Sequence, residues 1–289
     1  MNHLLEIEAS LAGNFDRRPF FIRHHLAEHP LFALDRLLEL SRRLRSDRAE
    51  FYAGDVPISI SPEQTPSTGL SLEETIRCIE TCGAWVVLKN VEQDPEYGAL
   101  MDRCLDEVGD VYGLALRGAT DRVGFVFISS AKAVTPCHID PENNFLLQIR
   151  GTKTIHIGDR SLLAESELER FFTGGHRNVE LPADLGSRAA RFRLSPGHGV
   201  HVPVTAPHWV VNGDGVSVSF SITFQTPESR RTAVVHKVNA RLRKTGVRPT
   251  PPGASPLRDA FKVLGFEAVR SAHRLWRNLT PGARTTVQP

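Results

Sequence analysis

The sequence is poor in cysteine and contains no long apolar run. Its four cysteines, Cys78, Cys82, Cys104 and Cys137, have neither the spacing of a zinc ribbon nor the density of a disulfide framework. A membrane-spanning helix needs about 20 apolar residues in succession, and no segment approaches that length. The first ten residues also lack the basic and then apolar pattern of a secretion signal. We therefore expect a cytoplasmic protein that makes no contact with a membrane.

The net charge is small, but the charges are unevenly distributed along the chain. The formal net charge is +2, yet from Arg230 onward 13 Lys and Arg residues face only Asp259 and Glu267, which leaves a balance of −9 for the rest of the chain. The basic residues are scattered along a predicted helix, with no aromatic stacking surface and no nucleic-acid-binding motif. We therefore expect these charges to form a solvated helix face, and we do not expect direct binding of nucleic acid.

Three regions differ in their hydrophobic pattern. Residues 1–83 contain an amphipathic helical repeat after Pro30 and a capping box at Ser71–Glu74. Residues 84–228 contain about seven short strands separated by turn residues, and residues 229–289 turn helical again. The prediction is an α+β protein with a mainly β core. Its architecture would be a double-stranded β-helix, the cupin or jelly-roll barrel, with flanking N-terminal helices and a basic C-terminal helical extension.

The C-terminal extension carries an apolar stripe. Ser255-Pro256 has the form of a helix start. Apolar residues then recur every three or four positions: Leu257, Phe261, Leu264, Ala268, Ala272, Leu275 and Leu279. Such a stripe has to be buried, either on the barrel or on a second copy of the chain. A homodimer contact through this helix is therefore one of the partners that the sequence predicts.

A candidate metal site centres on His138 and Asp140. Residues two apart on a strand point to the same side, and a second histidine from a later strand can complete a face of three ligands. Two imidazoles and one carboxylate suit iron(II) with open positions for further ligands. Three later histidines are candidates for the remaining position, His198, His201 and His208.

Polar residues near this pair predict a binding site for an anion. The turn at Gly151 is expected to close a hairpin, so that the strand of Lys153 pairs back on the strand before it. The side chain of Lys153 is then expected to extend into the barrel, where a buried ammonium is costly unless it meets an anion. A dicarboxylate co-substrate would supply that anion. The hydroxyl of Thr135 can bind the carboxylate that meets Lys153, and Asn144 is placed near the other end of the dicarboxylate, which binds the metal. On the last strand, Ser221 and Ser219 lie two residues apart and therefore face the same side, where they can serve as further polar residues of the pocket.

The run from His138 to Lys153 resembles the jumonji-type, cupin-like iron(II)- and 2-oxoglutarate-dependent oxygenases. The similarity covers roughly residues 84–226 and is nearest to the asparaginyl-hydroxylase branch. The resemblance implies that His138 and Asp140 bind iron, that Lys153 and Thr135 hold the distal carboxylate of 2-oxoglutarate, and that Asn144 lies near its other end. In this family the last metal ligand usually follows a strand that ends in proline. The resemblance therefore favours His208 over His198 and His201.

The resemblance implies a dioxygenase reaction. Iron(II), 2-oxoglutarate and O2 would oxidise a bound substrate with release of succinate and CO2, and hydroxylation is the default outcome, ahead of demethylation. The substrate would be a side chain of a protein or peptide, or a small metabolite. The alternative is a barrel that binds a metal or small ligand without turnover, as a regulator.

Overall fold

A computed structural model describes residues 3–60, 64–113, 116–179 and 185–279. The chain divides into two compact units. One comprises Met1–Leu163 with His176–Pro227, and the other comprises Ala164–Gly175 with Glu228–Pro289. The division into three regions at residues 83 and 228 stays a prediction.

The first unit contains two antiparallel sheets. The larger has the strand order β1-β2-β10-β7-β12-β5-β4-β3, and the smaller has the order β6-β11-β8-β9. The strands are β1 (Leu5–Glu6), β2 (Phe20–His24), β3 (Ala49–Ala53), β4 (Ala84–Lys89), β5 (Thr120–Ser129), β6 (Val134–His138), β7 (Asn143–Arg150), β8 (Lys153–Ile157), β9 (Ala190–Leu194), β10 (His198–Val202), β11 (His208–Asn212) and β12 (Ser217–Gln225).

Alternating side chains give the larger sheet two different faces. On β12, Phe220 and Ile222 belong to the main apolar core, whereas Ser219 and Ser221 point to the opposite face. The main core also includes residues of three helices, α1 (Leu34–Arg43), α2 (Leu72–Arg77) and α3 (Pro95–Tyr112). The helices therefore cover one face of the sheet and leave the serine-bearing face for the second sheet.

A second apolar cluster joins the two sheets. Its buried members come from β7 and β10 of the larger sheet, from β8, β9 and β11 of the smaller one, and from the connection before β11: Leu146, Ile155, Ile157, Leu194, Val200, Val202, Ala206 and Val210. Apolar side chains from two sheets that interdigitate in this way form the core of a sandwich. The polar residues of the candidate site lie around this cluster.

The second unit is helical. It contains α4 (Glu165–Phe172) and α7 (Pro256–Leu279), and α6 (Pro227–Lys244) lies in it from Glu228 onward; the short α5 (Leu185–Arg188) belongs to the first unit. Arg243 donates two hydrogen bonds, of 2.7 and 2.8 Å, to the carboxylate of Glu169, which is 3% exposed. The bidentate geometry satisfies a buried charge that would otherwise be costly.

The apolar stripe of α7 is exposed in the described part of the chain. Leu257, Phe261 and Leu264 are 69%, 68% and 67% exposed, and Gly265 does not interrupt the helix. The later stripe residues Leu275 and Leu279 have side chains outside the described set. None of the described helices has the length and apolarity that crossing a membrane requires.

The α+β class predicted from the sequence is confirmed, and its β part consists of two antiparallel sheets. Strands β1, β2 and β3 were not predicted, because their sequences are short or carry no clear apolar period. Helix α6 lies within the region that was predicted to be helical from residue 229 onward. The turn at Gly151 was expected to close a hairpin. Instead β7 and β8 belong to different sheets, so Gly151 marks a crossing from one sheet to the other.

Gly151 should be one of the least replaceable residues of this crossing. Its φ is +70°, and a Cβ there would lie 2.2 Å from the carbonyl oxygen of Val216. Gly83 also has a positive φ, +60°, but an added Cβ would meet nothing within 4 Å. We expect Gly83→Ala to lower the free energy of unfolding by about 1 kcal/mol, the cost of the left-handed conformation. Gly151→Ala should lower it by about 3 kcal/mol or more.

Urea denaturation followed by tryptophan fluorescence measures both values. Equal losses in the two variants would show that the approach of Val216 does not constrain the crossing.

Candidate metal centre

Three side chains from separate positions in the chain meet at one end of the smaller sheet. Asp140 Oδ2 lies 3.7 Å from His138 Nε2 and 3.6 Å from His208 Nε2. The three potential ligand atoms all lie within 4.8 Å of one another. The arrangement offers two imidazole nitrogens and one carboxylate oxygen on one face, which is the donor set that suits iron(II) with open positions opposite.

Backbone carbonyls fix the orientation of both imidazoles. His138 Nδ1 lies 2.8 Å from the carbonyl oxygen of Pro136, and His208 Nδ1 lies 2.9 Å from that of Ala206. A carbonyl oxygen can only accept, so each Nδ1 carries a proton and donates it. Each Nε2 is therefore left with a lone pair directed toward Asp140, as a metal ligand requires.

A β-bulge brings the predicted residues of β6 to one side. His208 pairs with His138, but Val210 pairs with Thr135, because the register shifts between these two positions. Residues three apart on a regular strand would face opposite sides, whereas the bulge places Thr135 and His138 on the same face. Asp140 lies beyond the end of β6 at His138, so the expectation that both ligands share one strand was wrong.

Burial keeps the histidine of β6 neutral. Desolvation lowers the pKa of His138 to about 3, and the adjacent His208 ring adds to the effect. Burial opposes ionisation of Asp140, but His138 and the guanidinium of Arg177 hold its pKa below the usual value. A neutral imidazole and an ionised carboxylate are the protonation states in which these groups bind a metal.

Arg177 is a residue of the site that the sequence did not reveal. Its Nη1 lies 3.4 Å from Asp140 Oδ1, the oxygen that does not face the imidazoles. The contact holds the carboxylate so that Oδ2 is directed at both Nε2 atoms. Arg177 stands 37 residues after Asp140 in the chain and belongs to no spacing pattern, so only the folded structure could identify it.

Lys153 enters the space between the sheets from the smaller one. It pairs with Asn212 of β11, the strand that also carries His208, and its side chain is buried. Desolvation alone lowers its pKa to about 7. No carboxylate of the described residues forms an ion pair with it, so the site holds a buried cationic group whose counterion is absent from the described chain.

On the larger sheet, two of the predicted residues contact each other. Ser221 Oγ donates a 2.7 Å hydrogen bond to Asn144 Oδ1, and both side chains are buried. Beside them Gln148 accepts from Ser219 at 2.6 Å and donates to Ser217 at 3.0 Å. This polar strip on β7 and β12 lies on the same side as Leu146, which is a member of the cluster between the sheets.

The other two histidine candidates lie elsewhere. The ring of His201 stacks on Phe20, and its Nε2 lies 3.0 Å from Asn143 Oδ1, within the core beneath the larger sheet. His198 accepts a 3.3 Å hydrogen bond from the backbone N–H of Ser195 at its turn. Neither joins the cluster of His138, Asp140 and His208, which are the residues that the structure brings together.

No protein-family model matches this chain, and no curated protein matches it significantly. Several solved structures do match this chain. Escherichia coli ycfD aligns over 98% of this chain and 70% of its own, with a TM-score of 0.53 at 14% identity.

Two complexes of the same protein, described as a ribosomal oxygenase from Escherichia coli, are also similar. The complex with cobalt and 2-oxoglutarate gives a TM-score of 0.54 at 15% identity, over 92% of this chain and 67% of that one. The complex with cobalt and succinic acid gives 0.51 at 14% identity, over 98% and 69%. At this identity the likeness establishes a shared fold. The predicted resemblance in fold to an oxygenase is confirmed, and the asparaginyl-hydroxylase branch stays a prediction.

The protein should bind one equivalent of cobalt(II), which reports on an iron(II) site through its visible absorption. His208→Ala or Asp140→Ala should weaken binding by about a hundredfold or more, because each removes one of three ligands. His25→Gln is the matched control, since this exposed histidine contacts Glu6 and lies outside the cluster. Equal affinity in wild-type protein and His208→Ala would exclude this site.

Proposed function

We propose that the protein is an iron(II)- and 2-oxoglutarate-dependent dioxygenase. The reaction consumes 2-oxoglutarate, O2 and a substrate C–H bond and gives succinate, CO2 and the hydroxylated substrate. The two sheets would form the double-stranded β-helix of such enzymes, with His138, Asp140 and His208 as metal ligands. The proposal is supported by the fold shared with a ribosomal oxygenase whose structures contain cobalt with 2-oxoglutarate or succinic acid.

The observation that carries the proposal is the combination of a three-ligand cluster with a buried lysine that has no carboxylate partner among the described residues. The cluster alone could hold many divalent metals. Lys153 adds a requirement for an anion within the same space between the sheets. A dicarboxylate that binds the metal at one end and Lys153 at the other satisfies both features with a single ligand.

Each predicted polar residue of the candidate site would then have a defined role. Lys153 and the hydroxyl of Thr135 would hold the distal carboxylate of 2-oxoglutarate. Asn144, positioned by Ser221, would bind near the end next to the metal. Iron, when bound, would supply activation of O2, while the electrons that reduce O2 would come from 2-oxoglutarate and from the substrate C–H bond. The apolar cluster between the sheets keeps water from this reaction.

The substrate that we propose is a side chain of a protein. The support is the likeness in fold to a protein described as a ribosomal oxygenase. Fold and metal site are shared by enzymes that act on very different substrates, so the residue that is oxidised has to be identified by experiment. The cytoplasmic location expected from the sequence stays a prediction.

The proposal is tested by turnover of 2-oxoglutarate. Purified protein with iron(II) should convert 2-oxoglutarate to succinate, and Asp140→Ala should abolish the conversion. Lys153→Met should raise the dissociation constant of 2-oxoglutarate about tenfold or more, because a charge-assisted bond is lost. Lys132→Met is the matched control, since Lys132 is 79% exposed at its side chain. Binding of 2-oxoglutarate without any turnover would instead favour a regulator that binds the ligand.

The same lysine predicts how binding depends on pH. With a pKa of about 7 in the free protein, Lys153 is charged below that pH and becomes neutral above it. Binding a carboxylate favours the charged form, so above pH 7 the complex must take up a proton. Calorimetry in buffers of different ionisation enthalpy should detect this uptake at pH 8 in wild-type protein but not in Lys153→Met. An affinity that does not change from pH 6 to pH 9 would contradict the role of Lys153.

We also propose that a second copy of the chain covers the apolar stripe of α7. Leu257, Phe261 and Leu264 lie on one face at the spacing of two successive helical turns, and an antiparallel copy would present the same row. Isolated apolar residues are common on surfaces, but a continuous exposed row is typical of an interface.

In analytical ultracentrifugation the wild-type protein should therefore sediment as a dimer and Phe261→Glu as a monomer. Val269→Glu is the control, because this equally exposed residue lies roughly 120° round the helix from the start of the stripe. A monomeric wild-type protein at micromolar concentration would contradict this interface.

A further inference from the structure

Asn212 is a buried polar residue of β11 that lies outside the predicted set of site residues. It is 5% exposed. Its amide nitrogen Nδ2 donates a 3.0 Å hydrogen bond to the carbonyl oxygen of Ala133, which also accepts the backbone N–H of Asn212 at 3.0 Å. The opposite assignment of the amide would direct its oxygen at a carbonyl oxygen, so these bonds fix which way the amide faces. The remaining atom, Oδ1, is buried and accepts no hydrogen bond from any described residue.

Lys153 is the residue directly opposite Asn212 across β8 and β11. Directly opposed residues of an antiparallel pair carry their side chains on the same face, with Cβ atoms about 5 Å apart. Lys153 is also 5% exposed. Burial alone lowers its pKa, with no contribution from a neighbouring carboxylate. A buried acceptor without a donor and a buried cation without an anion therefore share one rung of the smaller sheet.

The carboxylate of the metal-ligand cluster is not the missing anion. His208 and Asn212 stand at the two ends of β11, four residues apart, which is about 13 Å along a strand. Asp140 lies at the His208 end, where its Oδ2 is 3.6 Å from the imidazole Nε2. The rung of Lys153 and Asn212 is therefore separated from the candidate metal centre by the length of the strand.

An aspartate at position 212 would be the simplest way to satisfy a buried lysine. It has the shape of asparagine, and its charge would give Lys153 an internal counterion. The chain instead carries the neutral residue of the same shape. A neutral amide oxygen can accept one N–H of the ammonium, which has three, and leaves the other two for a ligand. The charge of the lysine then stays available to an anion from outside the chain.

We propose that Asn212 is a positioning residue of the co-substrate site. Its amide oxygen accepts a hydrogen bond from the Lys153 ammonium and aligns that group with the distal carboxylate of 2-oxoglutarate. Because the amide carries no charge, it does so without competing with the ligand. The inference rests on the proposed function, in which Lys153 binds 2-oxoglutarate, and adds to it the residue that orients the lysine.

Asn212→Asp tests this role by supplying the internal counterion. In calorimetry on the full-length protein with cobalt(II), the variant should bind 2-oxoglutarate about tenfold or more weakly, because Lys153 is then already paired. Its affinity for cobalt(II) should stay as in the wild-type protein, since the metal ligands lie at the other end of the strand. This pattern separates loss of the co-substrate from loss of the metal.

Asn239→Asp is the matched control in the second unit. Asn239 is also buried, its Nδ2 donates a 3.0 Å hydrogen bond to the carbonyl oxygen of Thr250, and its Oδ1 accepts from no described residue. Lys262 donates to the same carbonyl oxygen, so the new charge would have a cation nearby. The control should leave the affinity for 2-oxoglutarate unchanged.

Urea unfolding without metal or 2-oxoglutarate tests the contact between the two side chains independently of the oxygenase reaction. Asn212→Asp is made in the wild-type protein and in Lys153→Met. In both backgrounds it loses the hydrogen bond to Ala133, so that loss cancels in the comparison. The urea midpoint should fall by about 0.5 M more in the Lys153→Met background, where the buried carboxylate has no cation.

Equal falls of the urea midpoint in the two backgrounds would overturn the proposal, because the two side chains would not interact. Asn212→Asp that binds 2-oxoglutarate as tightly as the wild-type protein, while Lys153→Met binds it weakly, would overturn it as well. Full affinity in Lys153→Met would overturn the proposed function and this inference with it. The urea comparison distinguishes the two failures, since it involves no ligand.

Discussion

The buried ammonium of Lys153 is the constraint on which the rest of the candidate site depends. A decrease in its pKa from 10.5 to about 7 corresponds to a cost of about 5 kcal/mol for holding the charged form in the free protein. That cost applies fully below pH 7 and disappears above the ordinary lysine pKa, so the fold is less stable with the charged lysine than it would be with an apolar residue. Only a ligand that supplies an anion can recover this free energy. The protein thus keeps an unfavourable group at a position where a ligand makes it favourable.

The geometry around that lysine follows from the way the chain crosses between two sheets. Gly151 turns the chain out of the larger sheet, and Lys153 then starts a strand of the smaller one, two residues later. The strand beside it carries His208, and the bulge in β6 brings Thr135 and His138 onto one face. Ser221 and Asn144 approach from the opposite sheet. The site is therefore built by pairing and register, and a shift of one residue in any of these strands would turn its side chain away.

Sequence reasoning identified the residues of the candidate site better than it identified the strands and sheets on which they lie. The spacing of His138, Asp140 and Lys153 identified the polar residues because side-chain chemistry is local. The same reasoning placed Asp140 on the strand and Lys153 in a hairpin, and both were wrong, since strand ends and sheet membership depend on contacts that are distant in sequence. Arg177 was missed for the same reason. It contributes through a single contact to Asp140, and no period or motif marks its position.

Burial decides which kind of anion Lys153 can accept. It is a single point charge in a closed, apolar space, which favours one small dicarboxylate that is fully removed from water. The segment of residues 203–207 connects this space to the ligand cluster. The backbone N–H of Thr205 donates a 2.9 Å hydrogen bond to the carbonyl oxygen of Asp140, and that of Gly158 donates a 2.8 Å hydrogen bond to the carbonyl oxygen of Pro207, immediately before His208. One segment of backbone therefore fixes the positions of two of the three candidate ligands.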